Sequence, residues 1–202
     1  RDRSPSRGLG DVYKRQTEIL YPINSSNASQ KAIKSADLNA FKQNVDENLQ
    51  NDRATQHLAV KGYASPDGPE KFNDKLASAR SETGRKAVEK ILAEYGFNID
   101  AAGYGEDWEG FKEMVIASDI KDKNLILQVL SMYDSSAQRE SEIKNMASVF
   151  DELKTGILPK LRRSMIVNST DLQGKTDEEM MALVNQNKPV SYTHLTLPTT
   201  SR

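Results

Sequence analysis

Four polar residues and a glycine crowd one short stretch of the chain: Ser65, Asp67 and Gly68 in a proline-containing turn, then Asn73 and Arg80 seven residues apart on what reads as one helix. Phe72, Leu76 and Arg80 are spaced by four, which puts Arg80 on or beside the apolar stripe of that helix. A guanidinium turned towards a core needs a partner. That partner is either a ligand carboxylate, which its planar fork fits, or a carboxylate or carbonyl of the protein itself. The chemistry on offer is recognition of a charged group rather than bond making.

Catalytic constellations are missing from the sequence. Between residues 17 and 189 there is a single histidine, His57, at the start of a strand where it reads as a surface residue, and the chain has no cysteine. Thiolate nucleophiles and cysteine-ligated zinc are thereby excluded. Gly103, Gly105 and Gly110 do not fit a dinucleotide-binding fingerprint, and neither a phosphate loop nor a G-x-S-x-G elbow occurs. The acid pairs Glu106-Asp107 and Asp177-Glu178-Glu179 read as a solvated face or a helix first turn. No enzyme activity, cofactor or metal is expected.

The elements that must position the polar stretch alternate. Thr17–Asn24 reads as a first strand. Ser35 caps a helix with Leu38, Phe41, Val45 and Leu49 on one face. His57–Ala64 is a second strand, and the turn Ser65-Pro66-Asp67-Gly68 leads to Pro69 at the first position of a helix. Phe72, Leu76, Ala79, Val88, Ile91, Leu92 and Tyr95 form its predicted stripe. Gly84 marks a close contact within it, and Gly96 its left-handed cap. Ile99–Tyr104 is a third strand. Residues 107–160 are helical throughout, with Asp119 as a cap and Trp108, Phe111 and Met114 as a stripe. Pro159 ends that run, Ser164–Asn168 is a fourth strand, and a capping box of Thr176 and Glu179 opens a last helix. This order predicts an α/β (α+β) fold: a sheet with helices on a face.

The two ends read differently. Residues 1–16 and 190–202 have no hydrophobic period, and both resemble translated sequencing-adapter sequence that recurs at the ends of metagenomic assembly fragments. They are expected to stand outside the fold. The whole chain of 202 residues carries 28 Lys and Arg against 29 Asp and Glu, a net charge of −1. Without the six basic and two acidic residues of the two ends, 22 basic face 27 acidic residues, a net charge of −5. An acidic domain argues against nucleic acid as a partner.

With these residues in view, the chain resembles the OmpA-like, peptidoglycan-associating domain of bacterial envelope proteins, in the form found in Bacteroides-type outer-membrane proteins. The resemblance rests on Gly62-Tyr63 ending the second strand, the loop closing at Gly68, and Asn73-x-x-Leu76-x-x-x-Arg80. It continues through Gly96, Gly103-Tyr104-Gly105-Glu106 and Arg162-Arg163. It implies a βαβαβ sandwich with a mixed four-stranded sheet over residues 17–168, a helical insertion at 107–160 before the last strand, and a further helical region beginning at 169–189. It also implies a non-catalytic domain of the periplasm or outer membrane of a Gram-negative bacterium, joined to the membrane only through other parts of its parent protein. Its partner would be the diaminopimelate of peptidoglycan stem peptides. In the family a loop Asp takes the ligand ammonium and the helix Arg its carboxylate. Arg80 falls on the Arg position and Ser65 on the Asp position, with Asp67 the nearest acid; Asn73 and Gly68 complete the site. The alternative is an OmpA-like fold that has lost its ligand and serves as a protein-interaction module, docking through the insertion at Trp108, Phe111 and Met114. A hydrolase is the third class, open only because fold does not fix function.

Overall fold

A computed structural model describes residues 11–175 and 177–185 of the chain. Four strands, β1 (Asp11–Leu20), β2 (Ala54–Ala64), β3 (Ile99–Glu106) and β4 (Arg163–Leu172), form one mixed sheet in the order β1-β4-β2-β3. β4 runs antiparallel to both of its neighbours, and β2 and β3 are parallel. The short α1 (Gln30–Ile33) and α2 (Ala36–Leu49) lie between β1 and β2, and α3 (Glu70–Ile91) crosses from β2 to β3. The insertion holds α4 (Trp108–Ala117), α5 (Lys123–Met132), α6 (Ser136–Asn145), α7 (Ala147–Gly156) and α8 (Leu158–Leu161), and α9 (Asp177–Asn185) follows β4. The fold is therefore the expected α+β type, with a four-stranded mixed sheet and a helical insertion before the last strand.

Local signals place α2. The Ser35 hydroxyl accepts from the Leu38 N–H at 3.3 Å, and Leu38, Phe41 and Val45 are buried while Leu49 is exposed. They join Ile19, Leu58, Val60, Val88 and Ile166 in one core between the sheet and its helices. The insertion has a core of its own, built on Phe111, Val115, Ile126, Leu153 and Leu161. Phe111 is buried there and Trp108 and Met114 pack against it, so that stripe holds the insertion together.

The face that α3 turns to the sheet matches the predicted one at Val88 and the C-cap Leu92, which are buried, and differs from it in the first half of the helix. Asn73, Ala77, Arg80, Ser81, Gly84, Ala87 and Val88 are buried, whereas Phe72 is 46% exposed. A Cβ on Gly62 of β2 would lie 2.0 Å from the Ala77 carbonyl oxygen and 2.6 Å from the Ser81 nitrogen. Helix and strand backbones touch at this point, so only small side chains fit beside Gly62 and Phe72 turns outwards. Gly84 does mark a close contact, since its Cβ would meet Val60 Cγ1 at 2.8 Å.

Several boundaries also move. β1 begins at Asp11, so residues 11–16 join the sheet instead of standing outside the fold. β4 continues to Leu172, past the expected end at 168, and its backbone offers hydrogen bonds to whatever strand lies alongside. Burial nevertheless starts at Thr17: the side chains of 12–16 are exposed, and Thr17 and Ile19 are buried. Pro69 is the N-cap of α3 rather than its first residue. Asp122, at φ 57°, precedes α5 where Asp119 was expected, and Pro159 lies inside the short α8. Gly96 does take φ +64°, but α3 ends at Ile91 with Leu92 as its C-cap, so the glycine turns the chain beyond the helix rather than capping it. Residues 1–10 and 186–202 and Thr176 of the capping box lie outside the described residues. Among the described residues, no helix is long and apolar enough to cross a membrane.

Candidate functional site

The C-terminal end of β2, the turn after it and the first half of α3 bring all five expected site residues into one corner. Asn73 is buried and fastens the turn: its Nδ2 donates to the Ser65 carbonyl at 3.3 Å, the Gly68 carbonyl at 3.2 Å and Glu106 Oε1 at 2.8 Å. One amide thus ties the loop to both α3 and the end of β3. Ser65, also buried, donates from Oγ to Asp67 Oδ1 at 2.5 Å.

Arg162, from the residue before β4, closes on the same two side chains. Its Nε donates to Ser65 Oγ at 3.2 Å and its Nη2 to Asp67 Oδ2 at 3.2 Å. Asp67 is therefore already engaged by a cation of the protein. The loop acid is in place, with one oxygen bonded by Ser65 and the other by Arg162.

Arg80 is 0% exposed. It donates from Nε to the Ser25 carbonyl at 2.9 Å, from Nη1 to the Tyr63 carbonyl at 2.9 Å, and from Nη2 to the Pro22 carbonyl at 3.2 Å. The Tyr21 ring lies 5.4 Å from the guanidinium carbon. No carboxylate among the described residues is within ion-pair distance of it. Of the two kinds of partner open to this guanidinium within the protein, the structure chooses carbonyls. Burial pulls its pKa down to about 10, with Arg162 adding to the fall and Tyr21 and Asp67 opposing it. At neutral pH it remains a cation with no counter-ion at contact.

A second ion pair supports the corner. Arg163 donates to Asp107 Oδ2 at 2.8 Å from Nη2 and at 3.2 Å from Nε, and reaches Glu18 at 3.1 Å. Asp107 also caps α4 through the Gly110 N–H at 2.9 Å. Burial works against the Arg163 charge, but Asp107 and Glu18 outweigh it and raise its pKa. The pair Glu106-Asp107, read from sequence as a solvated face, is thus turned inwards: Asp107 is 6% exposed, and Glu106 takes bonds from Asn73, Trp108 Nε1 at 3.0 Å and the Ser136 hydroxyl. Their partners sit on distant elements, which adjacency in the sequence does not show.

The insertion covers the turn. Pro66 is buried and shares a cavity of about 10 Å³ with Trp108, Phe111, Ile143 and Leu153, room for about one water molecule. The roles of Arg162 and of the insertion were not foreseen; the Arg162-Arg163 pair was the only sequence signal pointing to them. His57 lies exposed on the sheet, 3.7 Å from Asp171. Among the described residues, no group of three or more His, Asp or Glu is arranged to hold a metal ion.

Neither a family model nor a curated protein matches the chain. Among solved structures it is similar to the peptidoglycan-associated lipoprotein of Burkholderia pseudomallei, at 14% identity and TM-score 0.40, over 75% of this chain and 88% of that one. It is similar to the OmpA-like domain of FopA1 from Francisella tularensis, at 14% identity and TM-score 0.36, over 82% and 79%. It is similar too to the periplasmic domain of Helicobacter pylori MotB, at 16% identity and TM-score 0.37, over 93% and 88%. The corner stands on its own geometry.

Proposed function

We propose that the chain is a non-catalytic domain of the bacterial cell envelope that associates with peptidoglycan, and that the corner of Arg80, Asn73, Ser65, Asp67 and Gly68 is its binding region. The observation that carries this reading is the fully buried guanidinium of Arg80 with no acid at contact. Buried charges in proteins are ordinarily paired, because desolvation is costly, so an unpaired cation in a polar corner is a receptor for an anionic group. The carboxylate of a peptidoglycan stem peptide supplies one. The resemblance of Asn73-x-x-Leu76-x-x-x-Arg80 and its neighbours to OmpA-like domains supports the compartment, the periplasm or outer membrane of a Gram-negative bacterium. The two adapter-like ends belong to this reading as foreign additions.

The test is co-sedimentation with purified diaminopimelate-type sacculi. Retention that is lost with Arg80→Lys and competed by free diaminopimelate supports the reading. The lysine variant keeps the charge but loses the fork, so it separates binding geometry from simple attraction.

One observation favours a second reading, the ligand-free interaction module. Asp67 and Ser65 are both bound to Arg162, and Arg80 has no exposed surface. A folded chain that sacculi do not retain would overturn the peptidoglycan reading in favour of this one. The exposed Ile116, Leu125 and Met132 of the insertion would then be the surface to mutate in a partner search.

A further inference from the structure

Of the three bonds that Arg80 makes, two lie on one edge of its guanidinium. Nε–H and the adjacent N–H of Nη2 point the same way, and that edge is where a carboxylate is received bidentately. Here it holds the Ser25 carbonyl at 2.9 Å and the Pro22 carbonyl at 3.2 Å. Two backbone carbonyls thus take up the same pair of donors that one bound carboxylate would use.

Both oxygens come from one short segment. Residues 22–25 form a turn between β1 and α1, closed by the Ser25 N–H on the Pro22 carbonyl at 3.3 Å. Its side chains at 22–24 are exposed, and Asn24 sits at φ 53°. Tyr21 anchors its start: the phenol bonds the Arg80 carbonyl at 3.2 Å and Ser164 at 2.9 Å, and the backbone N–H bonds the Arg162 carbonyl at 2.7 Å. The turn therefore presents little inwards except its own carbonyls.

We propose that residues 22–25 are a strap that holds the Arg80 corner closed by mimicking a ligand carboxylate, and that binding requires this strap to be displaced by a real one. The proposal rests on the carboxylate-binding reading of the corner and adds its control. An incoming carboxylate replaces two neutral acceptors with an ionised one, adding a charge–charge attraction to the guanidinium that the carbonyls do not supply. Water offers no such gain, which keeps the strap shut in the absence of ligand.

Asn24 allows a test that touches neither the ligand nor Arg80. Valine at a left-handed position strains the turn, and glycine relieves it. Asn24→Val is expected to raise the open population about tenfold and to tighten the apparent Kd for free diaminopimelate and for acetate by the same factor; Asn24→Gly is expected to weaken both. Binding is followed on the Arg80 Nε–H resonance and, separately, by retention on sacculi. Equal affinity in all three proteins, or no response of that resonance in any of them, overturns the strap. Retention of all three proteins on sacculi to the same extent overturns the strap and leaves the peptidoglycan reading standing. Acetate seen at Arg80 in Asn24→Val, with no retention of any variant, upholds the strap and overturns the peptidoglycan reading.

Discussion

Arg162 holds Asp67 and Ser65 together, with 3.2 Å from Nη2 to the Asp67 carboxylate and 3.2 Å from Nε to the Ser65 hydroxyl. Arg162 is buried and Asp67 is largely so, which makes this pair a structural joint between the turn after β2 and the start of β4. Asp67→Asn keeps the shape but removes the only acid that Arg162 contacts among the described residues. Breaking a buried pair from one side costs about 3–5 kcal/mol, and the residual exposure of both side chains brings the expected loss to about 2–3 kcal/mol. For a chain of this size that is a fall in Tm of roughly 4–12 °C, read by thermal denaturation. An unchanged Tm would mean that the joint is not holding the loop.

Tyr21 gives the corner an alkaline limit. Burial raises the pKa of its phenol above the ordinary value, with the Ser164 hydrogen bond and the Arg80 charge opposing. The folded chain then keeps a proton that the unfolded chain releases above about pH 10. Stability from this group is present below that pH and is lost as pH rises through the folded pKa. Arg80 works in the opposite sense, because its pKa is pulled down to about 10 by burial and the unfolded chain holds the proton longer. The Tyr21 part is isolated by comparing urea midpoints of the wild type and Tyr21→Phe between pH 8 and 11. The wild type should lose stability faster with pH, and parallel slopes would show that the phenol does not titrate between the two states.

What could be read from the sequence was local. The Ser35 cap, the Gly96 turn and the α2 stripe each depend on residues within one or two helical turns of each other, and periodicity reaches that far. The buried face of α3 depends on how closely it approaches Gly62 across the sheet, which no spacing within α3 records. The spacing puts Arg80 on or beside the buried stripe, and it is buried, but two of its three partners are Ser25 and Pro22, 55 and 58 residues away, and Arg162 finds Ser65 from 97 residues away. The pairing of residues 11–16 was invisible for another reason: strand hydrogen bonding needs an edge alongside more than it needs a hydrophobic pattern.

The close approach of α3 to β2 sets Gly62 apart from Gly156, which lies in the insertion. At Gly62 an added Cβ would lie 2.0 Å from the Ala77 carbonyl oxygen, a backbone atom that can move only with the helix. Gly62→Ala is expected to cost about 3 kcal/mol or more, at or beyond the upper end of overpacking penalties. At Gly156, the last residue of α7, nothing lies within 4 Å of the built Cβ. Gly156→Ala should therefore stabilise by up to about 1 kcal/mol through helix propensity alone. Denaturant midpoints of the two variants test the helix-to-strand contact directly, and a mild effect at Gly62 would contradict it.

The chemistry of the corner can be tested by moving its acid. In the wild type Asp67 carries the charge and Ser65 the hydroxyl, and both are bound to Arg162. The double variant Ser65→Asp with Asp67→Asn keeps the net charge and leaves Arg162 an acid to bond. It shifts the carboxylate two residues along the turn, to the position that the OmpA-like resemblance gives to an ammonium-binding Asp. An ammonium that donates to a carboxylate gains a charge–charge attraction that a neutral hydroxyl acceptor does not supply. With a carboxylate receptor at Arg80 and a carboxylate at 65, the corner would read a zwitterion at both ends. Affinity for free diaminopimelate, measured by calorimetry, should then rise about tenfold over the wild type, whereas affinity for acetate should not rise, since acetate has no ammonium to reward the move. A parallel rise for both ligands would show that the substitution merely loosened the turn, and no rise for either would show that position 65 does not face the ligand.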